Sequence, residues 1–142
     1  MVNSEIATIL SEMSMLMEMK EIPFKSRAFD RAARVLETLE RDVGDAYTKG
    51  GREALEEIPG IGRGIAERIE EYLKTRRIKE YEALKKQIPV DIQGLSAVEG
   101  IGPKTILKLY KKLGITTSAE LEKAARGGKL ARIAGLGPKV QD

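Results

Sequence analysis

The chain of 142 residues has the length of one ordinary domain or two small ones, with 42% hydrophobic and 33% charged residues. It holds no cysteine and no histidine, which excludes disulfide scaffolds, Cys/His zinc sites, thiol nucleophiles and every Ser-His or Cys-His catalytic pair; two Phe, four Tyr and no Trp are too few for a base-stacking platform. The net charge is +3, yet residues 1–50 carry −2, residues 51–94 carry 0 and residues 95–142 carry +5.

Apolar residues recur at helical steps nearly everywhere. Ile6, Ile9, Leu10, Met13, Leu16 and Met17 predict a helix over 4–19, capped by Asn3 or Ser4 with Glu5 in its first turn. Met13, Met15, Met17 and Met19 read as core filler or as a plastic binding groove. Glu21-Ile22-Pro23 breaks the pattern. A second helix is predicted from Pro23 or Ser26 to Leu39, burying Phe29, Ala32, Ala33 and Leu36 and leaving Arg27, Arg31 and Arg34 off that face. A short helix over 43–48 follows, ended by Gly50-Gly51.

Beyond Gly51 short helices alternate with glycine-rich hairpins. One or two turns over 52–58 precede Pro59-Gly60-Ile61-Gly62, and a helix to about Leu73 follows on Ile65, Ile69, Tyr72 and Leu73. Another covers 78–88, on Tyr81, Leu84 and Ile88, before Pro89. Residues 95–98 lead into Glu99-Gly100-Ile101-Gly102, and Pro103 opens the next helix, where its missing N–H costs nothing. That helix is predicted to bury Ile106, Leu107, Tyr110 and Leu113 and to stop at Gly114. Thr117-Ser118-Ala119-Glu120 is a capping box for a helix to Arg126. No segment alternates with period two, so the fold class is all-α: a small helical domain followed by a second, hairpin-containing segment.

Three segments share one pattern: Ile58-Pro-Gly-Ile-Gly62, Val98-Glu-Gly-Ile-Gly102 and Ile133-Ala-Gly-Leu-Gly137, starting 40 and then 35 residues apart. The glycines allow a tight turn with backbone close to a ligand. The helix that begins at once aims its free N–H groups and positive dipole end at that ligand, which suits a phosphate oxygen. Contact with a sugar-phosphate backbone would be sequence-independent. Candidate contacts are Gly60, Ile61, Gly62, Arg63 and Gly64 at the first hairpin, and Gly100, Ile101, Gly102, Lys104, Thr105 and Lys108 at the second. Lys104 opposes the helix dipole unless an anion lies between them. The basic C-terminal third fits a polyanion such as nucleic acid, or a solvated surface. Neither a dinucleotide fingerprint nor a P-loop fits. Gly60-x-Gly62-x-Gly64 follows no strand, Pro103 interrupts Gly102 and Lys104, and no glycine lies five residues before Gly102.

The Pro-Gly-Ile-Gly and Glu-Gly-Ile-Gly-Pro-Lys elements resemble helix-hairpin-helix motifs. With Ile6-Ala7-x-Ile-Leu, Pro23-Phe24-Lys25-Ser26-Arg27-Ala28-Phe29-x-x-Ala-Ala33 and the order of elements, essentially the whole chain resembles the N-terminal region of family X DNA polymerases (the DNA polymerase beta family), its bacterial and archaeal members above all. The resemblance implies a lyase-type domain over 1–88, gripping the 5′-phosphate side of a DNA gap. It implies a fingers-like segment over 89–142, with a second helix-hairpin-helix and a truncated third. A monovalent cation, Na+ or K+, is implied at each hairpin, on the backbone carbonyls of Glu56, Ile58 and Ile61 and of Ser96, Val98 and Ile101. So is a monomer that binds gapped or nicked DNA without sequence preference, in base excision repair. The chain has no room for a palm with three catalytic carboxylates, and it is expected to be a non-catalytic part of a longer DNA-directed DNA polymerase.

The family's small domain also carries 5′-deoxyribose phosphate lyase activity, through a Schiff base on a neutral lysine amine. The position of that lysine falls on Arg68, whose guanidinium stays protonated. A second family lysine falls on Gly64 and the pocket tyrosine on Phe29, while Lys25 keeps a basic pocket position. Lys25 and Lys74 are the available substitutes. Arg68 still suits phosphate, and with Lys25, Arg27, Arg31 and Arg63 it could form the 5′-phosphate pocket. Alternatives to DNA binding alone are thus a lyase and a protein-interaction module. No apolar run reaches the ~18 residues of a membrane span, and a cytoplasmic location is expected.

Overall fold

Eight helices follow one another among the described residues: α1 (Val2–Met19), α2 (Pro23–Thr38), α3 (Val43–Glu56), α4 (Arg63–Thr75), α5 (Lys79–Gln87), α6 (Ile92–Ser96), α7 (Pro103–Leu113) and α8 (Ser118–Arg126). This computed structural model describes residues 2–128, with no strand among them. The third glycine segment, 133–137, lies outside the described residues.

Helix α1 is the hub. Ile6, Leu10, Met13, Leu16 and Met17 are fully buried, so Met13 and Met17 fill the core, while Met15 is half-buried and Met19 borders an open cleft. Asn3 does not cap α1, because the helix already starts at Val2. Its buried amide instead donates to the Arg41 carbonyl at 2.8 Å and accepts from the Val43 N–H at 2.9 Å, tying the chain entering α3 to α1. Pro23 opens α2, which packs along α1 through Phe29, Ala32, Ala33 and Leu36. The two helices are cross-linked where Ser14 Oγ donates to the Ser26 carbonyl at 2.7 Å and Ser26 Oγ donates to the Ser14 carbonyl at 2.9 Å.

The short helix over 43–48 and the turns over 52–58 join into one kinked element. Asp42 caps α3 by accepting from the Gly44 N–H at 2.6 Å, and the axis breaks at Gly51, which takes φ 68° and ψ −162°. Helix α7 is rotated from its expected orientation. Ile106 and Leu109 are fully buried, whereas Leu107, Tyr110 and Leu113 are only half-buried. The cause is that α7 packs on α1, while Leu107 and Tyr110 flank an open cleft beside Met19 and Gln87.

Helix α1 also packs against α3, α5 and α6. The Tyr72 hydroxyl donates to Glu5 at 2.8 Å. Buried Glu12 accepts from the Tyr81 hydroxyl on α5 and from Gln93 Nε2 on α6, both at 3.0 Å. Burial, then the Glu12 carboxylate, pushes the Tyr81 phenol well above its usual range, so it stays a donor. The buried residues form one cluster running from Ile6 to Ala124, and both glycine hairpins are fixed to it by Ile61 and Ile101. None of the described helices is long and apolar enough to cross a membrane.

Candidate nucleic-acid interface

The two described hairpins have the same backbone, 40 residues apart. In the first, the Ile58 N–H donates to the Leu55 carbonyl at 3.2 Å, Ile61 to Ile58 at 3.0 Å and Ala66 to Gly62 at 2.9 Å. In the second, Val98 donates to Leu95 at 3.2 Å, Ile101 to Val98 at 3.2 Å and Ile106 to Gly102 at 2.9 Å. Ile61 and Ile101 point inward and are nearly fully buried. The plug residue thus holds each hairpin down, with Gly62, Gly100 and Gly102 exposed and Gly60 half-buried against α2.

Those glycines are present for two different reasons. Gly60 and Gly100 take φ 94° and 85°, a left-handed backbone that side chains rarely adopt. A Cβ on Gly60 would also stand 2.7 Å from Val35 Cγ2. Gly62 and Gly102 have ordinary extended backbones, with φ −85° and −110°, and each caps its helix without a side-chain hydrogen bond. A Cβ on either would meet nothing within 4 Å among the described residues. The fold itself therefore does not require glycine at these two positions.

Beside the first hairpin lies an open cleft of about 590 Å³, walled by α2, the end of α3, the hairpin and the first turns of α4. Lys25, Arg31 and Arg68 bring cations to it, and Glu56 and Glu57 bring carboxylates. Arg68 is held from three sides. Its Nε donates to Glu80 at 2.7 Å, one Nη donates to the Gly64 carbonyl at 2.8 Å, and the guanidinium lies over the Phe29 ring, 5.3 Å from its centroid. Its other Nη makes no hydrogen bond among the described residues. Phe29 is a floor for Arg68.

The other candidates are placed elsewhere. Arg27 lies over the exposed Phe24 ring at 5.1 Å and does not line the cleft, and neither does Arg63, which pairs with Glu67 at 3.4 Å. Lys74 pairs with Glu70 at 3.9 Å, away from the cleft. On α7, Lys104 and Lys108 are exposed and Thr105 is half-buried. Lys111 and Lys112 extend the same helix, which contains no acidic residue.

Sequence reasoning missed Glu80. It bridges Arg68 and, at 3.2 Å, Lys25. Burial pushes its carboxyl up, but the hydrogen bonds and charges of Arg68 and then Lys25 outweigh that and hold it below its ordinary value. Its partners stand 12 and 55 residues away, a separation that no helical period reveals.

Two hairpins of one backbone, each plugged by an isoleucine and each feeding a helix N-terminus, define a class of protein, and the sequence comparisons agree. The chain belongs to the helix-hairpin-helix domain family: the pattern of that domain matches residues 1–78, and a SAM-like helix-hairpin-helix tandem matches residues 92–140. Over 139 residues, 97% of its length, it is 32% identical to the DNA polymerase/3′-5′ exonuclease PolX of Bacillus subtilis (strain 168). The match falls in the N-terminal part of that family X polymerase, and the chain spans 23% of the relative's length.

Proposed function

We propose that this chain binds DNA through its sugar-phosphate backbone, without sequence preference, as the N-terminal part of a DNA repair polymerase. The observation that carries the proposal is the pair Gly62 and Gly102, glycines that the fold does not require, each at the head of a helix whose N–H groups face outward. The relative's name supports the polymerase setting. In this reading the cleft takes the 5′-phosphate at a gap or nick, using Lys25, Arg31 and Arg68, and α7 follows the backbone of a second strand. The chain acts as a monomer.

Affinity should fall steeply with salt. Gapped DNA bearing a 5′-phosphate should bind more tightly than the same DNA ending in a hydroxyl. Fluorescence anisotropy measures both, and equal affinity for the two ends would overturn the assignment of the cleft.

We also propose that each hairpin holds Na+ or K+. Helices α3 and α6 end at Glu56 and Ser96, where the last carbonyls lack intrahelical partners and carry the negative end of the dipole. The Ile58 and Val98 carbonyls each accept one amide and keep a second lone pair. Carbonyl oxygens of this kind suit a monovalent cation, which would offset their charge beside a phosphate. Exchanging K+ for tetramethylammonium at constant ionic strength should weaken DNA binding; unchanged affinity would remove the cation from the proposal.

A lyase reading rests on Lys25, the one lysine lining the cleft among the described residues. Borohydride treatment on abasic DNA leaves a covalent adduct only if an amine forms the Schiff base.

A further inference from the structure

Two of the three cations lining the cleft beside the first hairpin are already tied to a carboxylate that does not itself line it. Lys25, Arg31 and Arg68 line it together with Glu56 and Glu57, and Glu56 lies 3.8 Å from Arg52 on its own helix. Glu80 comes from the first turn of α5 and spends one carboxylate oxygen on Arg68 and the other on Lys25. Glu80 thus holds two of the cleft's three cations from outside its lining, and an arriving anion must compete with it for them.

Only the side chain of Glu80 needs to move. Helix α5 is fixed independently, by the buried Ile78 and Leu84 and by the Lys79 N–H, which donates to Glu71 at 2.8 Å. Arg68 keeps the Gly64 carbonyl and the Phe29 ring when Glu80 leaves, so it remains aimed at the cleft. Arg31 pairs with no carboxylate in either arrangement among the described residues. It lies close to the hairpin, its Nε 3.7 Å from where a Cβ on Gly60 would stand. A carboxylate has two oxygens and one charge, both already engaged. A phosphate monoester brings three free oxygens and about −1.5 to −2 charges near neutral pH, enough for all three cations at once.

We infer that Glu80 is an internal competitor that engages Lys25 and Arg68 in place of a terminal phosphate and sets the affinity of the cleft for that group. This rests on the DNA-binding reading above and adds a residue to it. A terminal phosphate monoester displaces Glu80 because it carries the larger charge. A 5′-hydroxyl end offers no anion at that place and leaves the carboxylate where it is.

The test compares the intact 142-residue chain with its Glu80→Gln variant. Both are measured by anisotropy on gapped DNA with either a 5′-phosphate or a 5′-hydroxyl at the downstream end. Glu82→Gln, which removes a carboxylate paired with Arg77 outside the cleft, controls for a general change of charge. Glu80→Gln should tighten binding of the 5′-phosphate DNA roughly three- to tenfold, while the 5′-hydroxyl DNA changes no more than it does with Glu82→Gln. Weaker binding of the 5′-phosphate DNA would make Glu80 a support that positions Arg68 and Lys25, and would overturn the inference. An equal gain on both DNAs would overturn it too, as bulk electrostatics. Glu80→Ala repeats the measurement with the side chain gone, and circular dichroism checks that both variants are folded. Arg68→Ala separates the two levels of the argument. If it leaves 5′-phosphate binding unchanged, the cleft reading fails; if it weakens that binding and Glu80→Gln does not strengthen it, only the role of Glu80 fails.

Discussion

The two hairpins are the same piece of backbone in opposite electrostatic settings. Helix α4, after the first, carries Arg63, Arg68 and Lys74 against Glu67, Glu70 and Glu71, and each of its cations has a carboxylate partner within 4 Å. Helix α7, after the second, carries Lys104, Lys108, Lys111 and Lys112 and no carboxylate. The first hairpin also backs onto a walled cleft, where α2 and α4 fix the directions of Lys25, Arg31 and Arg68. The common geometry supplies aligned N–H groups and little selectivity. On the DNA-binding proposal, the side chains around it would divide the labour: a compensated, shaped site for one phosphate, and a lysine-rich helix with no carboxylate of its own that would attract many.

If that division is right, charge reversal on α7 has the largest effect. The double variant Lys104→Glu, Lys108→Glu should weaken binding to any duplex by about 100-fold at moderate salt, with a salt slope shallower by about two ions. The preference for a 5′-phosphate should survive, since it arises at the other hairpin. Loss of the preference along with the affinity would show that the hairpins act as one site.

A smaller effect separates the two kinds of glycine. Gly60→Ala forces a side chain into the left-handed region and against Val35, and should cost about 1–3 kcal/mol of stability, read as a lower midpoint in urea. Gly62→Ala and Gly102→Ala enter open space on ordinary extended backbone, so stability should change by less than about 1 kcal/mol. They should nonetheless weaken DNA binding by about tenfold each, because the new methyl stands where the phosphate backbone comes closest. Unchanged affinity in both would mean that the hairpins do not touch DNA.

The contrast between the hairpins was only partly legible in the sequence. The fold class, the helix order, the Thr117 cap and the plug isoleucines follow from local periodicity and local chemistry, which repeat within a few residues. The charge asymmetry was visible by counting. What could not be read is whatever depends on a partner far along the chain. Asn3 looked like a cap because its use by Arg41 and Val43 lies across 38 and 40 residues. Beside Ile106 it is Leu109, not Leu107 or Tyr110, that α7 buries, since only the packing of α1 decides which stripe faces inward. Arg27, Arg31 and Arg34 look equivalent at helical spacing, yet only Arg31 reaches the cleft. Glu80 carried no signal at all, as an acidic residue in a helix's first turn is ordinary.

The smallest expected effect is a difference in acid response. Glu80 has a folded-state value below the ordinary 4.5, so the stability it adds is fully present above that value and is lost as pH falls through the lower one. Glu82 behaves likewise through Arg77, whose hydrogen bond is the largest influence on it. Both sit in the first turn of α5. In the second half, Glu120 is also held low, first by its hydrogen bond from the Thr116 hydroxyl, but it lies at the start of α8 and not at the hairpin. Helix α7 has no carboxylate to titrate. Between about pH 6 and about pH 3.5, amide exchange corrected for its intrinsic rate should therefore speed up in the first turns of α5 and α8 while α7 stays protected. Because these groups are largely solvated, the change should be modest. Equal acceleration in α7 would show that acid loosens the shared α1 core, and the two hairpins would then not be electrostatically independent.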